Sequence, residues 1–309
     1  MTFSEKVKSE ILSKEKGQPC CLIASLSAFI RGSGTIATKD NKIGFEITTE
    51  NYQAINYYKD ILQKVYGVDG ALEKLSGGKK YRYTLVDEAS LNILIDLGIL
   101  KVDDGGIAIN LSIDKYLTEN DCCKQAYIQG AFIGSGSITV PSLESKSSTS
   151  YHLEFVFSKY QTAFDFTGIL SEKGFLPKLT ERKQSHIVYF KNGDEISEIL
   201  FYLGATKCCF EVKELVIEKD IRNETNRRVN CEMANIDKQI TASNTQINNI
   251  NVILQTIGVD KLSPQIKEVV SLRLENPESS LEELSRISGL SKSCLNHRFR
   301  KISEMAQNL

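Results

Sequence analysis

The chain has 309 residues, of which 41% are hydrophobic and 25% are charged, so it can bury a sizeable core and fold into two or three domains. Its formal net charge of −1 excludes a globally cationic surface, and any nucleic-acid binding must therefore come from local basic patches. No apolar run approaches the roughly 20 residues of a membrane span, and the N-terminus has no signal-peptide core; a globular, cytoplasmic protein is predicted.

The first residues carry a helix signal. Thr2 and Glu5 have the spacing of a capping box, and Phe3, Val7 and Ile11 recur near the helical period. A short helix ending before Gly17 is predicted, and residues 1–18 are assigned to it.

The chain then contains one stretch twice. Residues 24–36 read ASLSAFIRGSGTI and residues 126–138 read AYIQGAFIGSGSI, and the match extends upstream to a vicinal cysteine pair in each copy. The spacing of the apolar residues predicts a helix that stops at the Gly-Ser-Gly in both copies. These two helices are expected to pack on a pseudo-twofold axis.

The repetition continues beyond the two helices. FEITTENYQAIN, from Phe45, aligns with LEFVFSKYQTAF, from Leu153, and a Ser-rich loop at 141–150 accounts for the extra length of the second copy. Each half is predicted to contain two strands, a helix, a turn-linked strand pair and a second helix. The clearest strands are expected at 42–49, 80–86, 151–158 and 186–191. A duplicated α+β unit is therefore predicted over 19–205, with halves at about 19–118 and 119–205.

Small residues lie one turn apart on each repeated helix. Ala28 with Gly32, and Gly130 with Gly134, would let the two backbones approach closely. The simpler interpretation of these glycines is a helix C-cap, and both can hold.

Six of the eight cysteines form vicinal pairs, at 20/21, 122/123 and 208/209, and Cys231 and Cys294 stand alone. Neighbouring residues rarely ligate one zinc ion and there is no CxxC motif, so buried small hydrophobic residues in a reducing cytosol are predicted. No metal, cofactor or small-molecule ligand is expected, because no phosphate loop or nucleotide fingerprint is present.

The repeated helices resemble a known motif. Residues 26–34 (LSAFIRGSG) and 128–136 (IQGAFIGSG) look like two degenerate copies of LAGLIDADG, the motif of a homing-endonuclease fold with two αββαββα halves. In active members of that family the eighth letter is a metal-binding acid, whereas this chain has Ser33 and Ser135. A neutral hydroxyl does not replace a carboxylate as a magnesium ligand, so the resemblance implies a scaffold without catalysis. Glu46 and Glu154 are the substitute ligands a divergent endonuclease would use; structural or solvated strand residues are the favoured interpretation.

Residues 206–258 connect this unit to the C-terminal region. A strand is predicted at their start from Val212, Leu215 and Ile217, and a long linker helix is predicted to run on to Gly258. Between them lie Arg222, Arg227 and Arg228, which suit phosphate contacts, although an exposed turn with solvated charges fits the spacing equally well.

Residues 259–309 have the spacing of a helix-turn-helix domain. A helix is predicted from Pro264 to Asn276, a second is capped by Ser280, and Gly289 makes the turn before a third. The residues expected to be buried in this domain are Val269, Val270, Leu272, Leu274, Leu284, Leu290, Leu295, Phe299 and Ile302.

The outward face of the last helix is polar and basic, as expected for reading the major groove. The candidates for contacts with base edges are Ser291, Lys292, Ser293, Asn296 and His297. The candidates for phosphate contacts are Arg298, Arg300, Lys301, Arg222, Arg227 and Arg228. A helix-turn-helix that makes only protein contacts remains the alternative.

The order of parts is itself distinctive: a CC pair before each degenerate motif, the segment NRRVNCEMAN, and the terminal helix-turn-helix. This order resembles the WhiA family of Gram-positive bacteria over essentially the whole chain. The resemblance implies an α+β fold, with a duplicated LAGLIDADG-like αββαββα saddle followed by an all-α helix-turn-helix domain. It also implies a non-enzymatic, nucleoid-associated regulator of sporulation or cell division that binds double-stranded DNA. A divergent metal-dependent endonuclease, and an effector or protein-binding platform, are the alternatives.

Overall fold

The computed structural model describes residues 1–15, 17–103, 105–141 and 150–309, so the predicted loop at 141–150 lies, apart from its two end residues, outside the described residues. The chain divides into two compact units, Met1–Lys219 and Asp220–Leu309. No helix in the described ranges has the length and apolar character to cross a bilayer.

The predicted first helix is confirmed as α1 (Phe3–Leu12), and both hydrogen bonds of the Thr2–Glu5 capping box form. The Ser4 hydroxyl accepts a hydrogen bond from the Ile138 backbone N–H at 2.8 Å and donates one to the Ile138 carbonyl at 2.9 Å. Val7 is fully buried in the core of the first unit. The helix is therefore integrated into the duplicated unit and does not form a separate segment.

The duplicated unit has the predicted order of elements in both halves. The first half contains α2 (Pro19–Ser33), β1 (Gly34–Lys39), β2 (Lys42–Thr49), α3 (Tyr52–Tyr66), β3 (Ala71–Lys74), β4 (Tyr81–Leu85) and α4 (Ser90–Asp96). A hairpin of β5 (Leu100–Asp103) and β6 (Gly106–Ile109) and a 3-10 turn (Lys115–Thr118) follow. The second half contains α5 (Asp121–Ser135), β7 (Gly136–Thr139), β8 (His152–Phe157), α6 (Tyr160–Glu172), β9 (Lys178–Arg182), β10 (Ser185–Phe190) and α7 (Gly193–Tyr202).

The two four-stranded antiparallel sheets have the same topology, β1-β2-β4-β3 and β7-β8-β10-β9. The register is also repeated, since Thr35 pairs with Glu46 in one sheet and Ser137 with Glu154 in the other. The αββαββα order is thus confirmed for each half. The hairpin of β5 and β6 was not predicted, because its four-residue strands expose Val102 and carry too short a pattern of alternation to be recognised.

The helices α2 and α5 pack against each other along their small residues, as predicted. A Cβ atom added to Gly130 would lie 2.1 Å from the Ser25 carbonyl oxygen, and one added to Gly134 would lie 2.9 Å from that of Phe29. Both distances are shorter than any side chain tolerates, so these positions require glycine. Gly34 and Gly136 take the C-cap positions with extended backbone and begin the next strands.

The strand predicted at the start of the connecting segment is wrong. A single 51-residue helix, α8 (Thr206–Thr256), replaces it, and no glycine or proline interrupts this segment. The step from Val212 to Leu215 is a helical spacing, and Glu214 occupies a position that alternation would make apolar. The boundary between the compact units accordingly falls inside α8, after Lys219. The predicted end of the helix at Gly258 fits the structure, because that residue has a φ of 81°.

The prediction that the vicinal cysteines are buried is wrong for two of them. Cys21 and Cys123 are buried, but Cys20 and Cys122 are exposed. Consecutive residues point about 100° apart around a helix, so only one member of each of these pairs faces the core.

The second unit contains the remainder of α8, a 3-10 turn (Val259–Lys261), α9 (Pro264–Glu275), α10 (Leu281–Ser288) and α11 (Lys292–Gln307). Leu274 was predicted to be buried but is 41% exposed, and its neighbour Arg273 is 1% exposed instead. The Arg273 guanidinium donates to the Ser279 carbonyl at 2.6 Å and to Gln246 Oε1 at 3.0 Å. These bonds hold the segment between α9 and α10 and rotate Leu274 outward.

Candidate nucleic-acid interface

The turn between α10 and α11 is built from local signals in the sequence. Ser280 and Glu283 form a reciprocal capping box, with hydrogen bonds of 3.2 and 2.7 Å. Gly289 ends α10 in the left-handed conformation, with a φ of 69°, which glycine adopts at little cost. The Ser285 hydroxyl donates to the Leu290 carbonyl at 2.5 Å, and Ser291 accepts the Cys294 N–H at 3.2 Å as the N-cap of α11. These bonds fix the angle at which α11 leaves the turn.

One face of α11 belongs to the core of the second unit. Leu295, Phe299 and Ile302 are at most 4% exposed and pack with Leu284 of α10. Leu290 is partly buried against the same cluster. The opposite face of α11 is therefore held outward by a rigid apolar layer.

All five candidates for base-edge contacts lie on the exposed side of this helix-turn-helix. They are Ser291, Lys292, Ser293, Asn296 and His297. The Ser291 and Ser293 hydroxyl oxygens are 3.0 Å apart, so these two side chains are partly engaged with each other. Asn296 and His297 lie in the second turn of the helix, where an amide and an imidazole can reach base edges.

The cations on the exposed face are held by weak surface pairs. Lys292 Nζ lies 2.7 Å from Glu282 Oε2, and Arg300 Nε lies 3.3 Å from Glu304 Oε1. Lys301 is exposed as well. Exposed pairs of this kind contribute about 0–1 kcal/mol, so phosphate groups can replace the carboxylates.

Arg298 does not belong to this face, which corrects its prediction as a phosphate contact. Its side chain is 15% exposed, against 81% for Arg300. Its guanidinium lies 2.5 Å from Glu268 Oε2 and 3.2 Å from the Gln265 carbonyl, both on α9. Arg298 therefore fastens α11 to α9.

The structure adds one cation that the sequence analysis missed. Arg286 on α10 is exposed and pairs with Glu282 at 3.1 Å. Hydrogen bonds from Lys292 and Arg286 hold the pKa of the Glu282 carboxyl below its ordinary value. The spacing of Glu282 and Arg286, four residues apart on a helix, was the signal that could have identified this pair.

The three arginines of the connecting segment lie in the middle of α8, where all three are exposed. They are not in a turn, and they do not form one patch. At 3.6 residues per turn, Arg222, Arg227 and Arg228 are separated by about 100–140° around the helix axis. One flat surface can therefore engage only part of this set.

The serines at the former acid positions of the motif are turned into their own helices. The Ser33 hydroxyl donates to the Phe29 carbonyl at 2.7 Å, and the Ser135 hydroxyl donates to the Ala131 carbonyl at 3.3 Å. Both bonds reach back one helical turn, a common alternative for serine near a helix end. Neither position offers an anionic ligand to a metal ion.

The two glutamates that could replace the lost acids are already paired. Glu46 lies 3.0 Å from Arg82 Nε. Glu154 lies 3.0 Å from His152 Nε2 and accepts the Ser137 hydroxyl at 3.1 Å. These contacts favour the structural interpretation of both glutamates over a role as metal ligands.

Sequence comparison extends these observations. Three domain families match the chain: the WhiA N-terminal LAGLIDADG-like domain over 19–100, the WhiA LAGLIDADG-like domain over 124–222, and the WhiA C-terminal HTH domain over 225–306. A probable cell division protein WhiA of Alkaliphilus metalliredigens is 35% identical over 99% of this chain and 98% of its own length. A probable cell division protein WhiA of Clostridium beijerinckii is 35% identical over 100% of this chain and 99% of its own length.

Among solved structures, the full-length DUF199/WhiA protein of Thermatoga maritima has the same fold, with a TM-score of 0.59. It is 21% identical and covers 100% of this chain and 99% of its own. Two αββαββα halves followed by a helix-turn-helix thus define a LAGLIDADG-like scaffold with an appended helical domain. By the three domain matches and the identity to its relatives, the chain belongs to the WhiA family.

Proposed function

We propose that this chain is a non-enzymatic transcriptional regulator that binds double-stranded DNA through α11 and acts at the nucleoid in cell division or sporulation. The observation that supports it most strongly is the division of α11 into two faces. Leu295, Phe299 and Ile302 are buried, while Asn296, His297 and Arg300 are exposed. The relatives in Alkaliphilus and Clostridium are named probable cell division proteins, and the proposal extends that role to this chain.

The side chains on α11 divide by chemistry into two roles. Asn296 and His297 contact base edges, because their donors and acceptors can distinguish base pairs in the major groove. Arg300, Lys301 and Lys292 contact phosphates, which position the helix without reading the sequence. Arg286 adds a phosphate contact from α10, and Arg298 keeps the angle between α11 and α9.

Fluorescence anisotropy with the full chain and a footprinted DNA site tests these roles. Arg300→Ala should weaken binding to every sequence similarly and reduce the slope of log K against log salt by about 1. Asn296→Ala should cost about 1–3 kcal/mol on the specific site and little on random DNA. If both variants bound as the wild type does, α11 would not be the reading helix.

The proposal includes the absence of nuclease activity. Ser33 and Ser135 supply hydroxyls that are bonded within their helices, and Glu46 and Glu154 are held by a cation or a histidine. Supercoiled plasmid incubated with the full chain and Mg²⁺ should remain supercoiled. Nicking that disappears in Glu46→Gln or Glu154→Gln would instead establish a divergent endonuclease.

For the LAGLIDADG-like unit we propose a protein partner in preference to DNA. One cation on its strand faces is already paired, since Arg82 contacts Glu46 and Glu73 at 3.0 and 3.2 Å, which leaves that guanidinium less available to phosphates. Affinity capture with an Asn296→Ala/Arg300→Ala variant should retain the same partner after nuclease treatment. If nuclease treatment of the wild-type sample released the partner, DNA alone would have bridged the partner and this chain.

A further inference from the structure

Four cysteine thiols that are far apart in sequence meet at one point in the first unit. Cys20 and Cys21 lie in the first turn of α2, and Cys122 and Cys123 lie in the first turn of α5. The four Sγ atoms all lie within 4.8 Å of one another. Among the described residues, these four cysteines are the group of His, Cys, Asp or Glu side chains whose ligand atoms lie close enough together to hold one metal ion.

The duplication accounts for the convergence. The helices α2 and α5 are the two copies of the repeated element, and they pack closely because of the glycines along their contact. Each vicinal pair occupies the same two positions of its helix, so the pseudo-twofold relation places one pair opposite the other. Two adjacent residues supply too few ligands for a closed site, but two such pairs supply four.

The four thiols meet across the axis in a repeated arrangement. One member of each pair is buried, Cys21 in α2 and Cys123 in α5, and the other member, Cys20 or Cys122, is exposed. The site is therefore partly enclosed and still reachable from solvent.

We propose that Cys20, Cys21, Cys122 and Cys123 form a tetrahedral structural site for Zn²⁺ that ties the N-terminal ends of α2 and α5 together. At a Zn–S distance of about 2.3 Å, the sulfur atoms of a tetrahedron are about 3.8 Å apart. The observed separations of up to 4.8 Å are reached from that geometry by side-chain rotation and a shift of about 1 Å. Binding one Zn²⁺ releases the four thiol protons to solvent.

The electrostatics of the site suit a tetrathiolate. Four thiolates and one Zn²⁺ carry a net charge of −2, and both pairs lie in the first turn of a helix, where the helix dipole favours negative charge. A cleft of about 520 Å³, lined by Cys21, Cys122 and Gln18, borders the cluster and provides an entry path for the ion. Apolar packing does not explain the cluster, because Cys20 and Cys122 are exposed.

Two other thiol chemistries are the alternatives. An iron–sulfur cluster holds several iron and sulfide atoms between its thiolates, and sulfur atoms within 4.8 Å of one another leave room for a single ion. Two disulfides between α2 and α5 would also bring the four thiols together, and the mass of the purified chain distinguishes them from a metal site because each disulfide removes two hydrogen atoms. Tetrahedral coordination by four thiolates is typical of zinc and of iron–sulfur sites, and room for a single ion favours zinc.

The test is the metal content of the full chain, purified under reducing conditions without chelator and measured by inductively coupled plasma mass spectrometry. About one zinc ion per chain is expected. The zinc content of the variant Cys20→Ser/Cys122→Ser should be at least about ten-fold lower than that of the wild type, because two of the four thiolates are removed. The control Cys231→Ser/Cys294→Ser, which alters two cysteines outside the cluster, should keep it.

A second measurement does not depend on how the variants fold. Cobalt added to the metal-free wild-type chain should produce thiolate-to-cobalt charge-transfer and tetrahedral ligand-field absorption that saturates at about one equivalent. Iron with acid-labile sulfide, a mass decrease that shows disulfides within the cluster, or the absence of cobalt absorption would each overturn the proposal. Equal zinc loss in the control variant would do the same.

Discussion

The contact between α2 and α5 allows a quantitative prediction for Gly130→Ala. The new Cβ atom would lie 2.1 Å from the Ser25 carbonyl oxygen and 2.9 Å from the Ser25 Cα. Both are backbone atoms of a packed helix, so no side-chain rotation relieves the overlap. The helices would have to separate by roughly 1 Å to restore an ordinary contact, and a gap of that size loses a quarter to a half of the dispersion energy of the atoms around it.

The size of the effect follows from two opposing terms. Alanine is favoured over glycine in a helix by about 1 kcal/mol, whereas overpacking of a core costs about 1–3 kcal/mol and occasionally more. Since the overlap is with backbone, we expect the upper end of the packing cost and a net loss of about 2 kcal/mol. For a unit of this size that lowers the Tm by about 4–8 °C.

Thermal unfolding of the full chain, followed by circular dichroism, measures this change. The matched control is Gly168→Ala in α6, where no heavy atom lies within 4 Å of the added Cβ. That substitution should raise stability by about 1 kcal/mol through helix propensity alone. If Gly130→Ala were as stable as Gly168→Ala, the two helices would not be in backbone contact.

Three further substitutions test other parts of the structure. Arg298→Ala should lower the stability of the second unit by about 1–2 kcal/mol, because it removes a charged hydrogen bond to Glu268. Arg300→Ala should change that stability by no more than about 0.5 kcal/mol. Urea unfolding that shows the reverse order would contradict the two assignments. Burial lowers the pKa of Lys8 from 10.5 to about 8, so between those pH values the folded chain binds fewer protons than the unfolded chain. The free energy of unfolding should therefore rise with pH in that range, by up to about 3 kcal/mol relative to Lys8→Met. A difference that is independent of pH would show that Lys8 remains charged. Ser280→Ala should cost about 1 kcal/mol in urea unfolding through loss of the helix cap, and no loss would mean that the capping box contributes nothing.

The caps and the turn could be predicted because their signals are local. Thr2 with Glu5, the helix cap at Ser280 and the turn at Gly289 each act within one helical turn, and the structure confirms all three. The repeated motif added long-range information, since it implied that α2 and α5 pack together.

Two of the errors arose where partners are distant in sequence. Arg298 carries the same charge as Arg300 in the same helix, and only the position of Glu268 on α9 separates their roles. The vicinal cysteines of one half gave no indication that four thiols converge, because the other two thiols come from the second half of the repeat. The strand expected around Val212 was wrong for a local reason, since the step from Val212 to Leu215 is a helical spacing and Glu214 breaks the alternation of a strand.

Competitive anisotropy with the full chain tests most directly whether the exposed face of α11 reads DNA. The variant Asn296→Ala/His297→Ala should lose most of its preference for the specific site over random DNA while retaining the salt slope of the wild type. The control Asn248→Ala removes an exposed asparagine from α8 and should retain the preference. Undiminished preference in the α11 variant, or an equal loss in the control, would contradict the assignment of α11 as the reading helix.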